Sequence, residues 1–148
     1  MSLSAQPTAS LFIGGKPVEG QGADLPVRYA LTGETIATLK EASTDQVAQA
    51  CAAAKAAQPA WAAMAPVERG RILGRAAAII LERNDDLARL ETLDTGKPIQ
   101  ETLVADWPSG AAALEYFAGL AATLTGQMIP LGADWAYTRR EALGVCAG

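Results

Sequence analysis

The alanine-rich middle of the sequence, residues 43–124, constrains the fold most strongly, because its apolar residues recur every three or four positions, as in amphipathic helices. Ser43 and Gln46 fit a capping box, in which each side chain bonds the backbone N–H of the other residue, so a helix is predicted to begin there. That helix is expected to end at Pro59, since proline lacks the N–H that helical hydrogen bonding needs. Pro66 suits the first turn of a second helix.

Two more helices are predicted in the same region. Asn84 is a residue type that caps helices, and a third, short helix is expected to start there. A fourth helix is expected over about 102–124, with Pro108 kinking or interrupting it. The spacing predicts that the inward faces of these two helices carry Leu87, Leu90, Leu93, Leu103, Trp107, Leu114, Phe117, Leu120 and Leu124.

The segments on either side of the helices have the pattern of short β-strands. Residues 10–19 predict a hairpin, because Gly14-Gly15 is a favoured two-residue turn between apolar runs. Residues 34–40 alternate between apolar and polar side chains and predict another strand. Three short strands are predicted near the end of the chain, in QMIPL, DWAYTRR and LGVCAG. The whole pattern indicates an α/β protein of about one domain.

Composition argues against several classes of partner and location. The net charge is −4, whereas nucleic acids and anionic membrane surfaces are bound by basic faces. The longest uncharged run contains glycine, proline and glutamine, so no membrane span is predicted, and residues 1–10 lack the apolar run of a secretory signal. Two cysteines make no disulfide framework, and a cytoplasmic location is expected.

The chain contains no histidine, which limits the chemistry it can perform alone. A Ser-His-Asp triad, a Cys-His pair and a zinc site with histidine ligands are excluded within these residues. Any general base would have to be a carboxylate or a lysine. Cys51 and Cys146, which no histidine can activate, are expected to be buried. Residue spacing alone therefore indicates no self-sufficient active site.

The segment DTGKP, residues 94–98, contains a Gly-Lys pair but is not a phosphate loop, which needs a glycine five positions upstream and Ser or Thr after the lysine. It fits the end of a helix instead. Gly96 would take the left-handed cap conformation, Lys97 would pair with the helix dipole, and Pro98 would prevent continuation. Asp94 does not fit this interpretation, because a carboxylate is disfavoured at the negative end of a helix.

Two other motifs each leave two interpretations open. Asp106 and Trp107, next to Pro108, belong either to a kinked helix with the indole in the core or to the mouth of a site for a cationic or polar ligand. Residues 137–141, YTRRE, form either a solvated strand edge or a pairing strand at a subunit interface, with the two arginines making ion pairs.

Four blocks, in order and with compatible spacing, resemble the N-terminal third of an NAD(P)-dependent aldehyde dehydrogenase. The resemblance runs from about residue 11 to residue 148. It is closest to the betaine-aldehyde branch of that superfamily, mainly through LETLDTGK and YTRRE. The four blocks are WAAMAPVERGRIL, ERNDDLARLETLDTGKP, LEYFAGLA and YTRREALGVCAG.

The resemblance implies a division of the chain. The family's fold combines a Rossmann-type cofactor domain, a catalytic α/β domain and an oligomerisation arm. By resemblance, residues 1–125 are the N-terminal part of the cofactor-binding domain, with entry strands and helices that flank its sheet. Residues 126–141 would be the oligomerisation β-hairpin, and residues 142–148 the start of a return strand into the cofactor domain.

The resemblance also implies a function for the complete protein. It would oxidise betaine aldehyde, or a related aminoaldehyde, to the carboxylic acid (glycine betaine in the first case) with NAD or NADP, as a homo-oligomer. The family's cofactor-binding residues, general-base glutamate and nucleophilic cysteine come later than residue 148, and Cys146 does not match the nucleophile's motif. No catalytic or cofactor-binding residue is therefore assigned here, and the 148-residue chain alone is expected to be inactive. The alternative is a non-enzymatic module that associates through its helices and β-hairpin.

Three positions match an alkali-cation site that members of this type hold, usually for K⁺. By resemblance, Asp94 would supply a carboxylate, and Val27 and Arg28 would supply backbone carbonyls; such a cation would also offset a carboxylate at the negative end of a helix. One departure is YALTG, residues 29–33, where the family usually has Asn-Pro-Ala-Thr-Gly. Asp106 falls near a position that lines the substrate tunnel in related aminoaldehyde enzymes.

Overall fold

A computed structural model describes residues 9–147 of the chain. Within that range the protein combines three β-hairpins with a central group of helices, so the predicted mixed α/β character is confirmed. The elements in chain order are β1 (Leu11–Ile13), β2 (Lys16–Val18), β3 (Asp24–Arg28), β4 (Thr35–Lys40), α1 (Thr44–Ala63), α2 (Pro66–Glu82), α3 (Asn84–Thr95), α4 (Ile99–Glu101), a π-helical turn (Thr102–Asp106), α5 (Trp107–Leu120), β5 (Met128–Leu131) and β6 (Asp134–Tyr137).

Each hairpin is a separate two-stranded antiparallel sheet. The predicted hairpin at the start is confirmed: Leu11 of β1 is paired with Val18 of β2, and the turn has φ of 59° at Gly14 and 80° at Gly15. Positive φ at both turn positions suits glycine, which has no Cβ to clash. The predicted strand at 34–40 is β4, and its partner β3 carries a register shift between Val27 and Arg28.

Gln46 joins the first hairpins to the helices. The predicted capping box is present, with Ser43 as N-cap and the Gln46 Oε1 accepting from the Ser43 N–H at 3.0 Å. The same oxygen accepts from the Gln21 N–H at 2.9 Å, and the Gln46 Nε2 donates to the Glu19 carbonyl at 2.8 Å. The side chain is only 2% exposed, so one buried amide both caps α1 and holds the segment after β2.

The predicted end of α1 at Pro59 is wrong. The helix continues through this proline to Ala63 and ends at Met64, whose N–H still bonds the Ala60 carbonyl. A proline in a helix interior removes one hydrogen bond but does not have to terminate the helix when the remaining bonds persist. The predicted role of Pro66 at the first turn of α2 is confirmed.

The sequence predicted the C-terminal end of α3 correctly but not its N-terminal cap. The residue before the helix is Arg83, and no side chain caps this end, so the expectation that Asn84 is the cap is wrong. The Asn84 side chain reaches a different element, as described below. At the other end Gly96 adopts the left-handed conformation, with φ of 77°, and its N–H bonds the Thr92 carbonyl at 2.9 Å, which confirms the predicted helix end.

The predicted fourth helix is divided. It starts earlier than expected, as the single turn α4, passes through the π-helical turn, and continues as α5, in which Pro108 occupies the first turn. The predicted interruption at Pro108 is therefore confirmed, while α5 ends at Leu120 rather than near 124.

Small residues form the core where the helices cross. Ala77, Ala88 and Ala111 are 0–1% exposed, and a Cβ at Gly70 of α2 would lie 2.6 Å from the Ala118 carbonyl oxygen of α5. Helices with small contact residues approach closely, which leaves larger side chains beside the contact rather than inside it. The predicted inward positions of Leu90, Phe117 and Leu124 are accordingly wrong, since these side chains are 44%, 59% and 66% exposed.

The surface is large for a chain of this mass. The accessible area is 10843 Å², whereas a compact monomer of 15.3 kDa exposes about 7,100 Å². Cys51 and Cys146 belong to this surface, so the prediction that both are buried is wrong. Among the helices of residues 9–147, none combines the length and apolar character needed to cross a bilayer.

The end of the described chain departs from prediction as well. The first two predicted strands are confirmed as β5 and β6, which pair from Met128 with Tyr137 to Leu131 with Asp134. The third short strand, predicted in LGVCAG, does not form over residues 143–147, which are exposed and belong to no strand. The assignment of residues 142–148 as a return segment into the cofactor domain stays a prediction. A strand requires a hydrogen-bonded neighbour, and each sheet within residues 9–147 contains only its own two strands. Residues 1–8 and Gly148, which belong to the predicted first and last segments, lie outside the described residues.

Candidate functional site

The C-terminal end of α3 lies against the turn between β3 and β4. A Cβ built on Gly96 would be 3.0 Å from the Ala30 Cβ, so the Gly96 backbone lies close to the Ala30 side chain. Asp94 is exposed in the last turn of α3, two residues before Gly96, and Arg28 is two residues before Ala30. The carboxylate and the strand that were predicted to share a cation therefore belong to neighbouring segments.

The β3–β4 turn closes without the Asn-Pro pair that is usual in the resembling family. The Tyr29 N–H donates to the Glu34 carbonyl at 2.8 Å, and the Gly33 N–H donates to the Tyr29 carbonyl at 2.8 Å. The Arg28 side chain also donates to the Gly33 carbonyl at 3.1 Å. This sequence thus forms an ordered turn with its own hydrogen bonds, immediately after the register shift of β3.

A second cluster links α3 to the π-helical turn. The Lys97 Nζ donates to the Asp106 Oδ2 at 2.7 Å and lies 3.6 Å from the Glu91 Oε1. The side chains of Glu91 and Asp106 are 20% and 26% exposed, and that of Lys97 is 41% exposed. The prediction that Lys97 pairs with the dipole of its own helix is wrong, because a carboxylate 2.7 Å away is a stronger partner than partial charges on carbonyls.

This bridge shifts the titration of both partners. The hydrogen bond from Lys97 lowers the pKa of the Asp106 carboxyl below its ordinary value, against a smaller opposing effect of desolvation. The hydrogen bond to Asp106 raises the pKa of the Lys97 ammonium, and Glu91 adds to that effect. The formal charges of two carboxylates and one ammonium in this cluster sum to −1.

Buried hydroxyls anchor the other end of the π-helical turn. Thr102 is 0% exposed, and its Oγ1 lies 3.1 Å from the Ala88 carbonyl, 3.2 Å from the Ile99 carbonyl and 3.1 Å from the Thr92 Oγ1. A threonine hydroxyl can donate one hydrogen bond and accept others, so these contacts tie α3 to the start of the turn. Asp106 is thereby displayed on an element that is fixed at both ends.

Asn84, the first residue of α3, also bonds the π-helical turn. In π-helical geometry a carbonyl accepts from the N–H five residues later, and for Leu103 that residue is Pro108, which has no N–H. The Asn84 Nδ2 donates to the Leu103 carbonyl at 2.9 Å in its place. Two buried atoms in this region have no partner among the described residues, the Asn84 Oδ1 and the Trp107 Nε1.

The predicted site residues thus fall into two neighbouring groups joined by the segment from Asp94 to Lys97. Asp94 and Arg28 are each two residues from the contact of Gly96 with Ala30, Val27 is next to Arg28 in β3, and Asp106 lies in the bridge with Lys97. Among residues 9–147 no group of three or more His, Cys, Asp or Glu side chains could hold a metal. The partners of Lys97 and Asn84 gave no sequence signal, since they are 9 and 19 residues away.

Comparison with known families identifies the class of protein. A profile described as "Aldehyde dehydrogenase family" matches residues 18–148. Solved structures share the fold: PnpE in complex with nicotinamide adenine dinucleotide has a TM-score of 0.81 and 38% identity, covering 86% of this chain and 26% of that one. An aldehyde dehydrogenase variant from Bacillus cereus has a TM-score of 0.83 and 33% identity, covering 88% and 27%. The chain belongs to the aldehyde dehydrogenase family.

Curated relatives show which members of the family this chain is similar to. Betaine aldehyde dehydrogenase from Mesorhizobium japonicum is 60% identical over 147 residues, which are 99% of this chain and 30% of the relative. The chain therefore spans about 30% of the length of the curated relatives it matches, and the likeness is to the N-terminal third of those proteins.

Proposed function

We propose that this chain is the N-terminal part of an NAD(P)-dependent aldehyde dehydrogenase that oxidises betaine aldehyde to glycine betaine. The 60% identity over 147 residues to betaine aldehyde dehydrogenase carries the proposal. The structural likeness to PnpE, which was solved with nicotinamide adenine dinucleotide, supports the use of NAD. A related aminoaldehyde is the alternative substrate.

In this proposal the chain supplies scaffold rather than the reacting groups. A cysteine thiolate beyond residue 148 would attack the aldehyde, and a glutamate-activated water would hydrolyse the resulting thioester. NAD, when bound by residues beyond this chain, would supply the hydride acceptor. The chain's own cysteines do not fit the nucleophile's role: both are exposed, and no histidine exists to activate them. The isolated 148-residue chain is therefore expected to have no dehydrogenase activity.

The proposal includes an alkali-cation site formed by Asp94 and the carbonyls of Val27 and Arg28. The donor chemistry fits, because a monovalent hard cation is suited by one carboxylate and several neutral oxygens. A register shift leaves backbone groups outside the ladder, and β3 has its shift between Val27 and Arg28. The close contact of Gly96 with Ala30 supports bringing Asp94 toward that strand. The cation would supply charge compensation at the end of α3.

Asp106 is proposed to face the substrate path, with its charge moderated by Lys97. The bridge at 2.7 Å satisfies one oxygen of the carboxylate, while the net charge of the cluster remains negative. A trimethylammonium group has no N–H and would be attracted by the field alone, whereas a primary ammonium would compete with Lys97 for hydrogen bonds. This arrangement is consistent with preference for a quaternary ammonium aldehyde.

Association with other polypeptide is the second proposed property. The hairpin β5–β6 is apolar and exposed, with Met128 at 75%, Trp135 at 63% and Tyr137 at 68%, and an isolated two-stranded hairpin is marginal in water. Exposed strand edges pair readily with other chains. The hairpin would contribute to a homo-oligomer of the complete cytoplasmic enzyme. If the chain acts alone, it would be a non-enzymatic module that associates through the same hairpin and its helices.

Sequencing the coding DNA beyond codon 148 tests which of these applies. A reading frame that continues into the cofactor-binding and nucleophile segments of the family supports the enzyme. A stop codon at that point contradicts the enzymatic proposal and leaves the associating module. Light scattering of the 148-residue chain is then decisive for the module, because a clean monomer would contradict association.

A further inference from the structure

A cavity of about 340 Å³ lies between α1 and the segment that follows β6, residues 138–147. Helix α1 contributes Cys51, Lys55 and Gln58, which share one helix face because they are three or four residues apart. Gly144 and Val145 line the cavity from the segment after β6. A free cysteine of α1 therefore lies at the contact between these two parts of the chain.

The second cysteine of the chain is next to the same cavity. Cys146 directly follows Val145, and its Sγ lies 3.9 Å from the carbonyl oxygen of Gly144, a residue of the cavity lining. Both cysteines are free and exposed, so a reagent in solution reaches either thiol. The fold thus gathers at one cavity two thiols that are far apart in the sequence.

The backbone on one side of the cavity is free to adjust. A disulfide requires two Cβ atoms about 3.5–4.5 Å apart, so any adjustment must come from backbone that can move. Cys51 is held within α1, whereas residues 138–147 are exposed and belong to no helix or strand. Gly144 has φ of 102°, a conformation that favours glycine, so this segment turns just before Cys146. The segment can therefore carry Cys146 to Cys51 without breaking a helix or a sheet.

We propose that Cys51 and Cys146 are a redox pair, which a low-molecular-weight disulfide such as oxidised glutathione converts into a reversible internal disulfide. One cysteine thiolate attacks a sulfur of the reagent, forms a mixed disulfide and releases one thiol. The other thiolate then attacks the protein sulfur of the mixed disulfide and releases the second thiol. The two protein thiols are oxidised, the reagent takes up two electrons, and the two protons end on the released thiols.

The exposure of both thiols suits a switch rather than a permanent bridge. Disulfides in a reducing compartment are transient, and exposed ones are the more easily reduced. The oxidised form fastens residues 138–147 to α1, and reduction releases them. Lys55 places a positive charge at the same cavity, which favours the approach of an anionic reagent such as glutathione. Both thiols belong to this chain, so the pair is independent of the proposed dehydrogenase activity.

Equilibrating the 148-residue chain with mixtures of reduced and oxidised glutathione tests the pair. After acid quenching, mass spectrometry should show a single chain lighter by two hydrogen atoms, with peptides linked through Cys51 and Cys146. Cys51→Ser and Cys146→Ser are the controls, and each should form only a mixed disulfide with glutathione. Mixed disulfides alone, disulfide-linked dimers or unmodified thiols in the unsubstituted chain would overturn the proposal.

A parallel equilibration in concentrated urea separates native placement from chance encounter of two thiols in a flexible chain. The ratio of internal disulfide to mixed disulfide should be about tenfold higher in the native protein, because the fold raises the effective concentration of one thiol at the other. By linkage, oxidation should lower the unfolding equilibrium constant of the chain by the same factor. A ratio no higher than in urea would mean that the fold does not bring the two thiols together, and the proposal would be wrong.

Discussion

Replacing Gln46 with alanine removes the buried amide on which the first hairpins and α1 both depend. Three hydrogen bonds disappear, to the Gln21 N–H, the Ser43 N–H and the Glu19 carbonyl. A net value of about 1 kcal/mol for each bond gives a loss of about 3 kcal/mol. Alanine is a slightly better helix former than glutamine, which returns a few tenths of a kcal/mol. We therefore expect Gln46→Ala to reduce the free energy of unfolding by about 2–3 kcal/mol.

Urea denaturation followed by circular dichroism measures this loss, with Gln49→Ala as the matched control. Gln49 is on the same helix and is exposed, so its substitution changes helix propensity without removing the buried bonds. Hydrogen exchange should accelerate at the Gln21 and Ser43 amides in the Gln46 variant only. If the two variants differ by less than about 0.5 kcal/mol, the role assigned to the buried amide is wrong.

Three further outcomes are expected. Gly70→Ala should destabilise the protein by about 1–3 kcal/mol, because its Cβ would lie 2.6 Å from a backbone oxygen of α5. Gly74→Ala is the control: there is open space around Gly74, so this substitution should be neutral or stabilising. Urea titrations of both variants measure the difference. Lys97→Met should remove the pH dependence that the bridge gives to stability. Because the pKa of Asp106 is lowered in the folded protein, its contribution is present above the ordinary aspartate pKa and is lost as the pH falls through the folded-state pKa. Because the pKa of Lys97 is raised, its contribution is present below 10.5 and is lost as the pH rises above that value. Melting temperatures across pH check this, and equal profiles for the variant and wild type would contradict it. Asp94→Ala should abolish K⁺-dependent stabilisation in the complete protein, as measured by thermal denaturation in KCl against a large organic cation, and a retained K⁺ effect would exclude Asp94 as a ligand.

Sequence patterns predicted the features whose causes are local. The capping box at Ser43, the Gly14-Gly15 turn and the left-handed Gly96 each depend on a few adjacent residues, and each is confirmed. The interruption at Pro108 follows from the chemistry of proline itself. These predictions are correct because each feature depends on adjacent residues and needs no contact with a distant part of the chain.

The features that were missed depend on distant contacts. The Asn84 side chain is of a type that can cap a helix, but its amide donates instead to the Leu103 carbonyl, 19 residues away. Lys97 likewise bonds Asp106 rather than its own helix. Helical periodicity predicted an inward Phe117, although the helices meet through alanines and glycines that leave this ring outside. Periodicity gives the apolar face but not the residue at which two helices cross.

The role of the candidate site was predictable only through family resemblance. Local chemistry marked Asp94 as an acid at the negative end of a helix and Asp106 as an acid beside an indole, but it assigned no ligand set. Val27 and Arg28 would act through backbone carbonyls, which any residue possesses. Both cysteines were expected in the core, yet they belong to a surface well above that of a compact monomer. A large exposed apolar surface is the property expected of one part of a larger assembly.

The central claim, that this chain begins a betaine-aldehyde-type dehydrogenase, is tested most directly by kinetics on the protein encoded by the complete reading frame that contains it. The rate of reduced nicotinamide formation from NAD⁺ should be substantial with betaine aldehyde and lower with an uncharged aldehyde of similar size. The purified 148-residue chain is the control and should give no rate. A complete protein that folds, binds NAD⁺ and does not oxidise betaine aldehyde would contradict the account.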